Sequence, residues 1–306
     1  MPATKPPADI QISHDLIDSL LKEFVPELAG EKIEFVAAGW DNEIHRIGTG
    51  HAVRLPRRKE GAPLVEHEQR WLPELAEVLP LPIPAPTYAG RPAFGFPWHW
   101  SVVPWIEGIP FTHAPALESK TVIDQLTRFL SALHTPAPAI APVNLHRGGP
   151  LADREQIVAD RLHTIEPLIY ELGLEMTPIQ SLWAELVATP EWGDEPTWLH
   201  GDLHPMNLLV RGGKIAGVID FGDITSGDPA TDLSIAWMVL HDDAERNSFR
   251  QLSAINGRSI DVHTWKRARA WALSHATAVL ESSSDDPSMR RMAEITLKNV
   301  VGKSDA

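Results

Sequence analysis

His200-Gly201-Asp202-Leu203-His204-Pro205-Met206-Asn207-Leu208-Leu209-Val210, and a little further on Val218-Ile219-Asp220-Phe221-Gly222-Asp223, carry most of the architectural information in this chain. Between them lie two apolar runs with strand character, Leu208–Val210 and Ala216–Ile219, joined through Arg211-Gly212-Gly213-Lys214. A hairpin of that length is expected to bring Asn207 and Asp220 to one end. An amide oxygen and a carboxylate can then ligate a hard cation together, with Asp202 on the preceding loop. Phosphoryl transfer asks for this combination: a divalent ion to neutralise phosphates and a carboxylate to orient the incoming hydroxyl. Taken singly, each Asp or Asn is more simply a turn residue. The spacing of all three carries the functional reading.

Working outward, His14–Val25 has helical periodicity, with Ile17, Leu20, Leu21 and Phe24 on one face, Ser13 as N-cap and Pro26 as stop. Ile33–Ala38, Glu43–Ile47 and Ala52–Leu55, punctuated by Gly39 and Gly48-Thr49-Gly50, predict an antiparallel meander. Val65–Leu79 is helical again, with Pro73 predicting a kink or a break into two short helices. A proline-rich stretch, Pro80–Pro86, precedes one more strand at Trp98–Val103. Helices are expected at Thr121–His134, Asp153–Leu172 and Thr177–Ala188, and everything from Asp232 onward reads helical. The predicted class is α+β, with residues 1–105 as a sheet-containing lobe and 106–306 as a mainly helical one.

The 306 residues suffice for one large or two medium domains. With 27 basic and 41 acidic side chains, a net −14, a nucleic-acid partner held by the bulk surface is not expected. The absence of Cys excludes disulfides, thiolate nucleophiles and Cys-type zinc sites. No run approaches the roughly 20 apolar residues of a membrane span, and Met1–Gln11 lacks the apolar stretch of a signal peptide. A cytoplasmic, monomeric protein is the expectation. Ten basic against fourteen acidic side chains give residues 1–105 a net −4; 17 against 27 give 106–306 a net −10.

The segment at 200–207 resembles the catalytic loop of protein kinases, and Asp220-Phe221-Gly222 matches their metal motif. The form His-Gly-Asp-x-x-x-x-Asn, with Gly227-Asp228-Pro229-Ala230-Thr231-Asp232-Leu233 after it, is similar to the aminoglycoside phosphotransferase family, antibiotic and small-metabolite kinases on a protein-kinase-like bilobal fold. Gly39-Trp40-Asp41-Asn42 resembles that family's nucleotide-covering turn, Val53–Arg58 its third strand, and Glu68 its helix carboxylate. The resemblance implies Asp202 as the catalytic carboxylate, with Asn207 and Asp220 as ligands of Mg2+. It implies Arg54, where Lys is usual, as the partner of Glu68 and of the α/β-phosphates of ATP or GTP. Asn42 would lie in the covering turn, Val103–Trp105 would be the hinge meeting the purine, Leu209 and Ile219 the floor beneath the base, and His204 a γ-phosphate contact. His200 and Asp232 would brace the loop.

The segment Asp223–Asp232 is too short for a regulated activation loop, which argues against a protein kinase. The expected activity is small-molecule O-phosphorylation, and the negative helical lobe favours a cationic, aminoglycoside-type acceptor. A macrolide, an amino alcohol or a sugar remains open. His200-x-Asp202-x-His204 also has the spacing of metal ligands, so a zinc hydrolase is a weaker alternative, as is a nucleotide-binding module without turnover. Trp71, Trp183 and Trp237 read as core, and Asp242-Asp243-Ala244-Glu245 as an exposed helix end.

Overall fold

Ser13 opens the first helix: its hydroxyl accepts from the Leu16 N–H at 3.1 Å. In the computed structural model, which describes residues 6–282 and 286–302, α1 spans His14–Phe24 and stops at Val25, where Pro26 begins a short 3-10 turn. Its buried face, Ile17, Leu20 and Leu21, sits in a cluster with Ile47, Val53, Leu55, Phe96, Trp100 and Val102. Burial of such side chains is worth about 1.5–3 kcal/mol each, which fixes the helix on its sheet.

That sheet contains β1 (Ile33–Ala38), β2 (Asn42–Ile47), β3 (His51–Pro56), β4 (Tyr88–Gly90) and β5 (Trp100–Pro104), in the order β1-β2-β3-β5-β4, antiparallel throughout. Trp100 anchors it, 5.5 Å from the Tyr88 ring and donating through Nε1 to the Arg91 carbonyl at 3.0 Å. Helix α2 (Ala62–Ala76) lies between β3 and β4 in sequence. The expected break at Pro73 does not occur. Proline there falls in the last turn, so it forfeits one intrahelical hydrogen bond and leaves the rest of the helix intact. These elements, residues 6–108 together with 216–222, form one compact unit.

The second unit, residues 109–215 and 223–302 among those described, is mainly helical. It contains β6 (Ile109–Pro110), α3 (Ser119–Leu133), α4 (Glu155–Thr164), α5 (Glu166–Glu171), α6 (Met176–Val187) and β7 (Thr197–Leu199). The predicted Asp153–Leu172 helix is thus two, parted at Ile165 with Pro167 in the first turn of α5. Next come β8 (Leu208–Arg211), paired antiparallel with β6, and β9 (Lys214–Val218), within which the chain leaves this unit. After β10 (Thr225–Gly227), paired with β7, follow α7 (Ala230–Leu233), α8 (Ala236–Val239) and α9 (Asp243–Leu252).

The reading of an all-helical C-terminal part needs one correction. β11 (Ala254–Ile255) and β12 (Arg258–Ser259) make a small hairpin, turned by Asn256 and Gly257 at φ 51° and 73°. Two left-handed residues match the twist of paired strands, which is why Asn-Gly makes such turns. The long α10 (Val262–Ser282) then runs through the core, burying Ala268, Trp271, Ala272, Leu273 and Ala276, and packs against α4, α6, α7 and α11 (Pro287–Val301). Its Arg267 Nε lies 2.6 Å from a buried Asp228 oxygen. Trp71, Trp183 and Trp237 are buried as expected. Asp242 caps α9, accepting from the Glu245 N–H at 2.9 Å, and Asp243 pairs with Arg246.

Candidate functional site

Two clusters hold the residues singled out by sequence, one in each unit. In the helical unit, the loop after β7 places Gly201 at φ +86°. A β-carbon there would come within 2.2 Å of the Asp223 carbonyl oxygen. Only glycine satisfies both the left-handed backbone and the close approach. Asp232 fixes the same loop from below: its carboxylate accepts from the backbone N–H groups of His200 (2.8 Å) and Gly201 (3.0 Å) and lies 3.2 Å from His134 Nε2. The Asp202 side chain thus projects from a turn whose backbone has little freedom.

Asp202 is ringed by basic groups. Arg147 donates to its Oδ1 at 2.8 Å and also approaches Asp223 at 3.5 Å. His204 Nε2 lies 3.5 Å from Oδ2 and His275 Nε2 3.8 Å from Oδ1. Burial alone would raise the Asp202 carboxyl. Arg147 and then the two imidazoles overcome it, holding the group well below the usual carboxylate range. Burial pushes His275 down to about 3 against the pull of Asp202, with His204 and then Arg147 and Arg161 adding to it. The Nδ1 of His204 accepts from the Met206 N–H at 3.2 Å, and its Nε2 lies 3.3 Å from the Asn207 amide nitrogen as well as near Asp202. Asn207 donates its amide nitrogen to the Asp202 carbonyl at 2.9 Å, and its amide oxygen is the atom left for a cation.

Among the described residues, Asp202, His204 and His275 are the group of His and acidic side chains near enough to hold a metal ion. The His200 of the sequence spacing is not in it; its Nδ1 accepts from the Asp202 N–H at 3.3 Å. Arg147 on the same carboxylate disfavours a dication there. Arg147 and His275 were not found from the sequence. They lie 55 and 73 residues from Asp202, on the loop before α4 and on α10, with no local pattern tying them to it. The loop did carry one signal, Gly148-Gly149 beside Arg147.

In the sheet unit, Arg54 on β3 lies 3.1 Å from Glu68 on α2 and 3.4 Å from Asp220. Arg54 Nε and Glu68 Oε1 are nonetheless buried without hydrogen-bond partners. Burial pulls the guanidinium down, but Glu68 and Asp220 more than offset this and raise it. Asp220 has φ 64° and a carboxylate 58% exposed. A non-glycine residue in the left-handed region costs energy and recurs where function demands it. Asp41, in the turn between β1 and β2, is raised by burial and further by Asp220, against Arg58. Carboxyl groups gathered beside an exposed carboxylate are a donor set suited to a hard cation. Of the remaining sheet-unit candidates, Asn42 is buried with an unpartnered side-chain oxygen, and Val103 is buried opposite Ala52. The Trp105 N–H is committed to the Gly50 carbonyl at 2.8 Å, while Ile219 is half-buried. Leu209 is buried on β8 in the helical unit.

The Glu68 carboxyl yields a prediction with a definite sign. Burial pushes it up to about 7 from an ordinary 4.5, against the pull of Arg54. Between those values the folded chain holds a proton that the unfolded chain releases. This stabilising contribution is complete below 4.5 and is lost as pH rises through 7, by about 3 kcal/mol at roughly 1.4 kcal/mol per unit. Glu68→Gln cannot ionise. Its stability relative to the parent should therefore rise by about that amount between pH 4.5 and 7.5 in urea unfolding. A relative fall would mean that the ionised pair with Arg54 outweighs burial.

Known proteins place these clusters in context. Residues 32–271 match the family model described as "Phosphotransferase enzyme family". The aminoglycoside 3'-phosphotransferases of Escherichia coli and Salmonella typhimurium are each 26% identical over 121 residues, 40% of this chain and 44% of theirs. The chain thus matches less than half the length of these curated relatives. Among solved structures, the GDP complex of wild-type aminoglycoside 2'-phosphotransferase-IIIa superposes with a TM-score of 0.64 at 18% identity, covering 95% of this chain and 99% of that one. The macrolide 2'-phosphotransferase MphH from Brachybacterium faecium gives 0.60 at 19%, covering 95% and 99%. These likenesses establish the α+β, protein-kinase-like bilobal fold that the motifs implied. With a single family model spanning most of its length, from β1 into α10, the chain belongs to the phosphotransferase enzyme family.

Proposed function

We propose that the chain is a small-molecule O-phosphotransferase, moving the γ-phosphate of ATP or GTP to a hydroxyl of its acceptor. The observation that carries this reading is Asp202, an ionised carboxylate on an immobilised turn, at the wall of a ligand-sized cavity of roughly 380 Å³. Such a group can hold an acceptor hydroxyl in line and take its proton as the new ester bond forms. The depressed carboxyl fits a positioning role better than that of a strong base. Arg54 would meet the α/β-phosphates, its unpartnered Nε being a donor that a phosphate oxygen satisfies. Asn207 and Asp220 would hold Mg2+, which supplies charge neutralisation on the phosphates when bound.

In the same reading, residues 1–105 bind the nucleotide and 106–306 the acceptor. Asn42, Val103, Trp105, Leu209 and Ile219 surround the nucleotide, and His204 steadies Asp202 or reaches the γ-phosphate. The protein would work in the cytoplasm as a monomer. Among the described residues no helix is long and apolar enough to cross a membrane. The relatives' names support an antibiotic-type acceptor, an aminoglycoside or a macrolide. A coupled assay of nucleotide turnover with ATP and GTP, over aminoglycosides, macrolides, amino alcohols and hydroxylated acids, tests the reaction. Acceptor-dependent release of nucleoside diphosphate is expected. Nucleotide binding with no phosphorylated product across that set would reject it.

A further inference from the structure

The cavity beside Asp202 has a wall whose charge differs from that of the unit around it. Arg147, Arg154 and Arg161 line it, and its acidic side chains are Asp202 and Asp223, both already engaged by Arg147. Arg154 caps α4 and Arg161 lies seven residues on, two turns along the same face. Arg154 donates to the Leu145 carbonyl at 2.8 Å and has no acidic partner within ion-pair distance among the described residues. Arg161 reaches Glu281 at 3.4 Å, on the far turn of α10.

The arginines are close enough to feel one another. Burial lowers the Arg154 guanidinium and Arg147 lowers it further; burial lowers Arg161, where Arg154 and Arg147 add to the effect against Glu281. With Arg147 matched by Asp202 and Asp223 and Arg161 by Glu281, Arg154 is the guanidinium of this concave wall left without a matching anion among the described residues, and it makes the wall a favourable place for one. The same wall contains further unpaired polarity. Trp271 is 4% exposed and its indole Nε1 has no hydrogen-bond partner; neither has His275 Nδ1. Indole N–H can only donate, so what it lacks is an acceptor.

We propose that the acceptor is a small hydroxylated anion, whose carboxylate or phosphate is held by Arg147, Arg154 and Arg161 while a hydroxyl lies at Asp202. This rests on the reading of Asp202 as the phosphoryl-transfer site, and it replaces both the cationic acceptor expected from net charge and the antibiotic-type acceptor suggested by the relatives' names. The −10 of residues 106–306 is spread over the surface of that region, whereas ligand selection depends on the few groups within reach. Guanidinium is suited to the task, because its planar fork binds carboxylate or phosphate through two parallel hydrogen bonds.

The test separates binding from transfer. Calorimetric titration of the full chain without nucleotide would use inorganic phosphate, D-gluconate, glucose and kanamycin. Phosphate or gluconate should bind more tightly than glucose and kanamycin. Arg154→Gln with Arg161→Gln should weaken that anion at least tenfold, and Arg154→Lys with Arg161→Lys should recover part of the loss. The tighter of phosphate and gluconate tells a phosphate ester from a carboxylic acid. Kanamycin binding more tightly than both anions, anion affinity unmoved in the Gln variant, or no anion binding at millimolar concentration would each overturn the proposal. Phosphoryl transfer from labelled nucleotide to the same compounds and to glycerol phosphate is read separately. Anion binding lost in the Gln variant, but with no transfer to any acceptor, would count against the reaction and leave the arginine wall standing.

Discussion

Asp202→Asn should lower acceptor-dependent turnover roughly 10²–10⁴-fold while changing nucleotide affinity little. The substitution preserves the shape of the side chain and removes its charge. Arg147 keeps Asp223 as a counter-charge, 3.5 Å from its Nε. The turn is held by backbone hydrogen bonds to Asp232, not by the Asp202 side chain. Folding should therefore survive and the loss should fall on kcat. His275, pushed down to about 3, stays neutral at any working pH and supplies no substitute charge. If Asp202 merely capped its own loop, the variant would show a lower melting temperature with turnover intact. Measuring both on the same preparation decides between the two roles.

How much of this was legible beforehand depends on the distance over which each signal acts. Ser13 caps α1 as read, because a cap is a contact between residues three apart. The meander, its order of turns and α3 follow from short-range periodicity, and all are present. At Pro73 the break into two helices is absent, because the cost of a proline depends on where in the helix it falls, and this one stands in the last turn of α2. The Asn256-Gly257 hairpin has a clear local signal, the Asn-Gly pair itself, set within a segment whose wider pattern is helical.

The site divides in the same way. Gly201, Asp202, Asn207 and Asp220 lie in two short motifs, and the motifs carry their identity. Arg147 and His275 reach Asp202 through the packing of α10 against α4 and α7, which no spacing encodes. The charge lining the cavity beside Asp202 was beyond reach for that reason. Composition gave the sum over residues 106–306, and tertiary packing chose which three arginines face the cavity.

Asp232→Ala should be the most damaging single change outside the reacting groups. The carboxylate is fully buried and serves three donors: the N–H groups of His200 and Gly201 and the His134 ring. Alanine leaves these buried without an acceptor, and each such group costs about 1–3 kcal/mol. A loss of about 4 kcal/mol in urea unfolding is the expected result, enough to remove much of a typical domain's stability. Asp232→Asn retains one acceptor oxygen but presents an NH2 to at least one donor, so it should recover only about half of that. Turnover should fall in both variants even at temperatures where they remain folded, because the backbone of Gly201 would no longer be pinned and Asp202 would lose its fixed direction. Here the readout separates positioning from simple instability. In the folded Asn variant kcat should fall with the acceptor KM nearly unchanged, as Arg154 and Arg161 stand on α4, away from the loosened turn. Equal stability losses in the two variants, or undiminished kcat in the folded Asn protein, would show that Asp232 supports the core and not the loop.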